Sequence, residues 1–197
     1  MGTNRYIREL VRECFSAVKE NPMPVNRILI PEPPSLEFRV SELSLIDYQY
    51  HNRFNPEHLQ HILDSDMAEL FNTLLVNSGY PAYKPTVEKL FHEITDDILF
   101  HKNYFNSLRP NQLADLLDVD LDYDTLKTAQ TPSYPSGHAT QAFYAAGKLS
   151  EVFPELKAQL YELAEMIGQS RIDRGVHFPS DVEAGKLLAK KLIDINK

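Results

Sequence analysis

Apolar residues recur at helical spacing along almost all of this 197-residue chain, and this periodicity constrains the fold more than any other feature. The pattern predicts long helices over residues 5–20, 57–77, 86–103, 137–152, 155–171 and 180–195, and shorter ones over 111–118 and 124–129. Strand-like alternation is scarce. The sequence therefore predicts an all-α, single-domain helical bundle.

Prolines mark the part of the chain that breaks this pattern. Residues 21–56 carry Pro22, Pro24, Pro31, Pro33, Pro34 and Pro56. Because proline disfavours helix in its own position and in the one before it, we expect a connection that is extended in part. The length suits one core, so we predict one domain over 1–197, divided into a helical and proline-rich part, 1–85, and a second part, 86–197.

Charge and hydropathy exclude several classes of function. The net charge of −8 argues against nucleic-acid binding, which depends on Lys and Arg neutralising phosphates. No stretch approaches the roughly 18 apolar residues of a membrane span, and the first residues lack the apolar run of a signal peptide. We expect no membrane partner and a cytoplasmic location. Cys14 lies on an apolar helical stripe and predicts a buried structural thiol.

The first segment with chemical potential runs from Lys102 to Pro110. Lys102 and Arg109 are seven residues apart, so they share nearly the same helical face if the helix continues. Pro110 then ends the regular structure. Taken alone, a solvated lysine and arginine explain this segment better than a binding site.

The second segment is Tyr134-Pro-Ser-Gly-His138. Ser136 is a good N-cap for the helix that follows, and Gly137 lets a ligand approach the backbone closely. The free N–H groups and the dipole of a first helical turn suit an anion. An ordinary capped helix with an exposed His138 explains the segment equally well.

The third segment runs from Ser170 to Asp181. Pro179 suits a first helical turn, which places His177 just ahead of the last helix and Asp181 within reach of it. A carboxylate on one imidazole nitrogen fixes the tautomer and leaves the other nitrogen available to attack. The alternative is that Asp181 only caps its own helix.

Together the three segments match K-x6-R-P, P-S-G-H and S-R-x5-H-x3-D, the signature of the type 2 phosphatidic acid phosphatase superfamily. The matching positions are Lys102, Arg109, Pro110, Pro135, Ser136, Gly137, His138, Ser170, Arg171, His177 and Asp181. Over roughly residues 95–185 the chain also resembles soluble bacterial class A non-specific acid phosphatases. The resemblance implies a helical bundle of the acid phosphatase and vanadium haloperoxidase type, with its catalytic core in 86–197.

The resemblance also implies a role for each matching side chain. His177 would be the nucleophile that forms a phosphohistidine, Asp181 would orient it, and His138 would act as general acid and base. The implied phosphate-binding residues are Lys102, Arg109, Ser136, Gly137 and Arg171. These roles imply a metal-independent hydrolase of small phosphomonoesters, with no metal site and no cofactor, and a mildly acidic to neutral pH optimum.

Two other functions fit the same signature. Vanadium haloperoxidases hold vanadate where phosphatases hold phosphate, although they are generally much longer; vanadate would then be a cofactor rather than an inhibitor. A phosphate-binding protein without activity is disfavoured by the intact pair of His177 and Asp181. Self-association into a homo-oligomer is left open, as is diphosphate hydrolysis.

Several other polar residues have simpler interpretations. Arg174 is either a cation at the pocket rim or a surface salt-bridge partner. The acidic stretch 118–124 lacks the glycine and terminal glutamate of a calcium loop and is read as solvated. The remaining histidines lack metal-ligand spacing or lie on polar stretches; they are His51, His58, His61, His92 and His101.

Overall fold

The computed structural model describes residues 29–53, Leu63 and 66–195. Its α-helices are α1 (Leu36–His51), α2 (Met67–Asn77), α3 (Lys84–Glu93), α4 (Thr95–Phe105), α5 (Pro110–Leu117), α6 (Gly137–Val152), α7 (Lys157–Asp173) and α8 (Pro179–Ile195), with a 3-10 turn at Pro154–Leu156 before α7. None of the described residues is in a strand. The predicted all-α fold is confirmed.

Helix α1 corrects the prediction of a proline-punctuated connection over 21–56. In the described part of that stretch the prolines end at Pro34, and Ser35 then caps the helix by accepting a hydrogen bond from the Phe38 N–H at 3.3 Å. Sixteen proline-free residues follow, ending at His51. The proline count masked a helix whose apolar positions alternate with buried charged ones.

Two predicted helices are interrupted, and one is absent. The predicted helix over 57–77 breaks at Asp66, which caps α2 by accepting from the Glu69 N–H at 3.1 Å. The predicted helix over 86–103 is divided into α3 and α4 at Ile94, and it begins before Thr86, which is therefore not its cap. The stretch 124–129 forms only a turn. The predicted helix over 5–20, with Cys14, lies outside the described residues.

The C-terminal helices follow the sequence prediction to within about two residues. Helix α6 is the centre of the bundle, packed against both α7 and α8. Its buried side is rich in small residues, which allows close approach: a Cβ added to Gly185 of α8 would lie 2.8 Å from the Ser136 carbonyl oxygen. This contact fixes the start of α8 against the start of α6.

A cluster of apolar side chains joins α1 to the third sequence segment. Its buried members are Leu43, Ile46, Leu113, Ala139, Ile172, Phe178 and Val182. Helix α1 therefore lies directly beside the beginning of α8. In the described part of the chain, no helix combines the length and the apolar character needed to cross a bilayer.

Candidate active site

His177 and Asp181 form a buried hydrogen-bonded pair at the start of α8. Nδ1 of His177 lies 3.1 Å from Oδ2 of Asp181. The same oxygen accepts from the Phe178 N–H at 3.0 Å and from the hydroxyl of Ser133. As predicted, α8 begins at Pro179, which places Asp181 in the first turn where it reaches back to His177.

The other imidazole nitrogen of His177 faces a cation. Nη1 of Arg109 lies 3.4 Å from Nε2 of His177. A guanidinium group has donors only, so this contact requires a lone pair on Nε2. The ring proton is then on Nδ1, directed at Asp181, and this is the tautomer that a nucleophilic Nε2 requires.

Lys102 and Arg109 both lie near His177, but not through the predicted arrangement on one helical face. Helix α4 ends at Phe105, and Asn106 turns the chain through a left-handed conformation with φ 41°. The two side chains therefore do not share a helical face. Nζ of Lys102 donates to the Pro132 and Ser133 carbonyls at 2.5 and 3.2 Å.

Arg109 is held by backbone carbonyls that lie shortly before the second segment and within the third. Its Nε donates to the Thr131 carbonyl at 2.9 Å and its Nη1 to the Val176 carbonyl at 2.7 Å. Arg171, fully buried in α7, lies close enough to lower the pKa of both Lys102 and Arg109 by charge repulsion. The three predicted phosphate-binding cations thus lie in one cluster.

The burial of so many like charges shifts their protonation. Burial, with repulsion from Arg109 and Arg171, lowers the pKa of Lys102 to about 7. Burial also lowers the pKa of Arg109 to about 10 and holds the pKa of His177 well below 6.5. A bound dianion would reverse these shifts by supplying the missing negative charge.

Asp181 is the carboxylate that faces this cluster. Burial alone would raise its pKa, but Arg39, His177 and the Ser133 hydroxyl together hold the pKa well below its usual range. Asp181 therefore stays ionised throughout the physiological range. It is the fixed negative charge against which His177 is oriented.

The second segment supplies the start of α6. Ser136 caps the helix as predicted, accepting from the Ala139 N–H at 3.4 Å, and its own N–H donates to the Asp181 carbonyl at 2.9 Å. Gly137 and His138 are half-buried in the first turn. A Cβ on Gly137 would lie 3.6 Å from Cε of Lys102, so the first turn of α6 adjoins the cation cluster.

Three buried residues of the site were missed by the sequence analysis. Arg39 and Glu42 lie on α1, in the stretch predicted to be a connection. Ser133 lies within the segment that resembles the acid phosphatases, but no role was assigned to it. The only sequence signal for Arg39 and Glu42 was the presence of charged residues on an otherwise apolar helical face in α1.

The structure also places the residues with simpler interpretations. Arg174 pairs with Asp124, Nε to Oδ2 at 2.7 Å, which favours the salt-bridge alternative over the pocket rim. The same carboxylate lies 3.5 Å from Nη1 of Arg53, so this end of the stretch 118–124 is packed rather than solvated. His101 is buried, with Nδ1 2.7 Å from the Asp97 carbonyl oxygen.

The other histidines named in the sequence analysis lie either on the surface or outside the described residues. His51 and His92 are exposed, whereas His58 and His61 lie outside the described residues. Among the described residues, no group of three or more His, Cys, Asp and Glu side chains is placed to hold a metal ion.

An open cavity of about 630 Å³ adjoins the cluster on the Arg109 side. Thr131 and Val176, whose carbonyls hold Arg109, form part of its wall. The neutral polar residues that line it are Asn106, Ser107, Asn111, Gln112, Thr125 and Gln130. The surroundings of Arg109 are therefore accessible to a polar molecule.

The sequence model of the PAP2 superfamily matches residues 88–191, which include all three motif segments and more than half of the chain. The chain belongs to the PAP2 superfamily. Its family assignment from the three motifs is confirmed.

Two curated relatives of this PAP2 chain carry phosphatase names. An acid phosphatase from Zymomonas mobilis subsp. mobilis is 37% identical over 98 residues, covering 48% of this chain and 35% of that protein. A non-specific acid phosphatase from Providencia stuartii is 29% identical over 136 residues, covering 64% of this chain and 54% of that protein. The chain thus spans between a third and just over half of the length of these relatives.

A solved structure shares the fold of this PAP2 chain. It is the crystal structure of a transmembrane PAP2-type phosphatidylglycerolphosphate phosphatase from Bacillus subtilis, with a TM-score of 0.52 over 99% of this chain and 94% of that one. The sequence identity is 16%. The similarity therefore concerns the arrangement of helices alone.

Proposed function

We propose that this PAP2 protein hydrolyses small phosphomonoesters through a covalent phosphohistidine on His177, without a metal ion. The observation that carries the proposal is the state of the imidazole. Its Nδ1 is 3.1 Å from the Asp181 carboxylate, and its Nε2 faces the guanidinium of Arg109 at 3.4 Å. A tautomer fixed in this way presents a lone pair toward a cluster of cations that would hold a phosphoryl group.

In the proposed first step Nε2 of His177 attacks phosphorus and the bond to the alcohol oxygen breaks. His138 gives its proton to that oxygen. Lys102, Arg109 and Arg171 neutralise the charge that grows on the phosphoryl oxygens, and the guanidinium groups can do so bidentately. In the second step His138 takes a proton from water, the water oxygen bonds to phosphorus, and the P–N bond breaks to release phosphate.

The protonation states of the site support a mildly acidic to neutral optimum. His177 must be neutral to attack, and burial keeps its pKa well below 6.5. Lys102 must be charged to bind phosphate, and its pKa is lowered to about 7. Activity should therefore fall above pH 7 as free Lys102 loses its proton, and fall in acid as His177 gains one.

The decisive assay is turnover of para-nitrophenyl phosphate in EDTA, with vanadate as an inhibitor. We expect activity in the wild type, none in His177→Ala, and wild-type activity in the control His51→Ala, which alters an exposed histidine. Absence of turnover in the wild type, or loss of turnover in EDTA, would contradict the proposal. Halide oxidation with vanadate and peroxide, without phosphate turnover, would instead identify a haloperoxidase.

The substrate class is proposed to be small phosphorylated metabolites. The cavity beside Arg109 has a mixed lining, in which neutral polar side chains that can hydrogen-bond a hydroxylated leaving group lie beside apolar ones such as Leu108 and Leu126. A panel of nucleotides, sugar phosphates and phosphatidic acid in mixed micelles tests this. Preferential hydrolysis of the lipid would refute the assignment.

A further inference from the structure

Arg39 lies in none of the three motif segments, yet it holds the carboxylate that orients His177. It comes from α1 and is 1% exposed. Its Nη2 donates to Oδ1 of Asp181 at 2.7 Å, while Oδ2 of the same carboxylate serves Nδ1 of His177 at 3.1 Å. Both oxygens of Asp181 are thereby fixed, and the carboxylate cannot rotate away from the imidazole.

The rest of the Arg39 side chain touches all three motif segments. Its Nη1 donates to the carbonyl of Leu108, the neighbour of Arg109, at 3.3 Å. Its guanidinium carbon lies 4.6 Å from the ring centroid of Phe178 and 5.6 Å from that of Tyr134. These contacts fix the guanidinium plane from several sides.

Glu42, one turn further along α1, binds the same end of α8 through two hydrogen bonds. Its Oε1 accepts from the Ser180 N–H at 2.8 Å and its Oε2 from the Ser180 hydroxyl at 2.7 Å. Helix α1 therefore contacts the first turn of α8 twice, once through Arg39 and once through Glu42. Helix α1, which the sequence analysis predicted as a connection, therefore holds in place the turn that follows His177.

We infer that Arg39 is a positioning residue of the reaction, which orients Asp181 and shares its charge so that His177 stays neutral with Nε2 toward the phosphoryl group. This inference rests on the proposed function. The guanidinium of Arg39 bonds to Asp181 and to the Leu108 carbonyl, so it acts on His177 through Asp181. Its removal should change kcat and its pH dependence more than KM.

The charge argument concerns the described groups that act on the His177 imidazole. Asp181 of α8 favours the imidazolium, whereas Lys102 of α4 and Arg109 before α5 oppose it. The Ser133 hydroxyl lies 3.4 Å from Nδ1 of His177, and the backbone N–H of His177 donates to the carbonyl of Arg171 in α7. Because Arg39 neutralises Asp181, the carboxylate attracts a proton to His177 less strongly than it would alone.

The test compares Arg39→Met and Arg39→Lys with the wild type by the pH profile of kcat/KM. In Arg39→Met we expect kcat to fall roughly tenfold or more, KM to change less than about threefold, and the acid limb to move up by about 0.5 unit or more. Arg39→Lys keeps the charge and should recover most of both effects. The inference is overturned if Arg39→Met has the wild-type profile, or if both variants lose activity equally without moving the limb.

Arg174→Met is the matched control, because Arg174 is also a buried arginine in a 2.7 Å carboxylate pair but does not contact Asp181. Its melting temperature should fall, since an ion pair is broken, while its acid limb stays in place. A shift of the limb in this control as large as in Arg39→Met would mean that any lost ion pair has the effect, and would overturn the inference.

If Arg39→Met does not fold, Asp181→Asn compared with Arg39→Met/Asp181→Asn carries the test, because the double variant removes both partners of this ion pair rather than leaving Asp181 buried without Arg39. An Arg39 that acts through Asp181 predicts equal residual activity in the two. A further fall of tenfold or more in the double variant would overturn the inference. If the wild type is inactive on all phosphate esters, the proposed function is refuted, and the inference with it. If the wild type is active and the Arg39 variants have the same kinetics and pH profile, the inference alone is refuted.

Discussion

Lys102 should take up a proton when the site binds an anion. The residue is 4% exposed, and burial with repulsion from Arg109 and Arg171 lowers its pKa to about 7. A bound dianion removes the repulsion and returns the pKa toward 10. At pH 8 the lysine is then about one-tenth protonated when free and fully protonated when bound, so binding should take up about 0.9 proton per site.

Calorimetry with sulfate measures this uptake, because sulfate keeps two negative charges throughout the range. The slope of the binding enthalpy against buffer ionisation enthalpy at pH 8 gives the number of protons. Lys102→Arg is the control, because arginine is already charged and should bind sulfate with uptake near zero.

An uptake below about 0.3 proton at pH 8 in the wild type would refute the reasoning. So would an equal uptake in Lys102→Arg. The lowered pKa of Lys102 also affects stability. Between pH 10.5 and pH 7 the unfolded chain binds a proton on Lys102 that the anion-free folded protein does not, so the folded protein becomes less stable as pH falls toward 7, by at most about 5 kcal/mol. Sulfate should therefore raise the melting temperature more at pH 6 than at pH 9.

Three further predictions concern packing, capping and proton transfer. Gly185→Ala should lower the free energy of unfolding, measured in urea, by about 1–3 kcal/mol and reduce activity, because the added Cβ would meet backbone atoms. Gly168→Ala should lower it less, because its Cβ would meet a side chain that can move. The reverse order of the two variants would contradict the packing. Glu42→Ala should lower the free energy of unfolding by about 0.5–2 kcal/mol, because the Ser180 N–H in the first turn of α8 loses its acceptor. Glu88→Ala, at an exposed position, should change it by almost nothing, and equal losses in the two variants would contradict the role of Glu42 as a cap for α8. His138→Asn should slow alkyl phosphates by roughly 10²–10⁴ but para-nitrophenyl phosphate far less, because a good leaving group needs no proton; equal losses would contradict its role as the acid.

The sequence predicted the helices that carry local signals. A cap at Ser136 and a proline at the first turn of α8 placed both helix starts correctly, and the spacing of His177 and Asp181 placed their hydrogen bond. These features depend on residues within one turn of each other. The three motif segments could be joined only through the family resemblance, because nothing in their local patterns indicates that distant segments meet.

Features that depend on tertiary contacts were missed. Helix α1 was hidden by the surrounding prolines and by the buried charges of Arg39 and Glu42, which a hydrophobic pattern reads as exposed. Those charges are tolerated only because Asp181 and Ser180 meet them from 138 or more positions away along the chain. The left-handed turn at Asn106 lies between Lys102 and Arg109, and it lets the two side chains approach without a shared helical face.

The most direct test of the account is to trap the phosphohistidine. Wild-type protein should be mixed with para-nitrophenyl phosphate, quenched in alkali within milliseconds, digested, and examined by mass spectrometry, since a P–N bond survives alkali and is lost in acid. The account predicts one phosphate on the peptide that contains His177, formed and lost at rates consistent with kcat, and absent from His177→Ala. Turnover by the wild type with no phosphorylated histidine, or with phosphate on a residue other than His177, would contradict it.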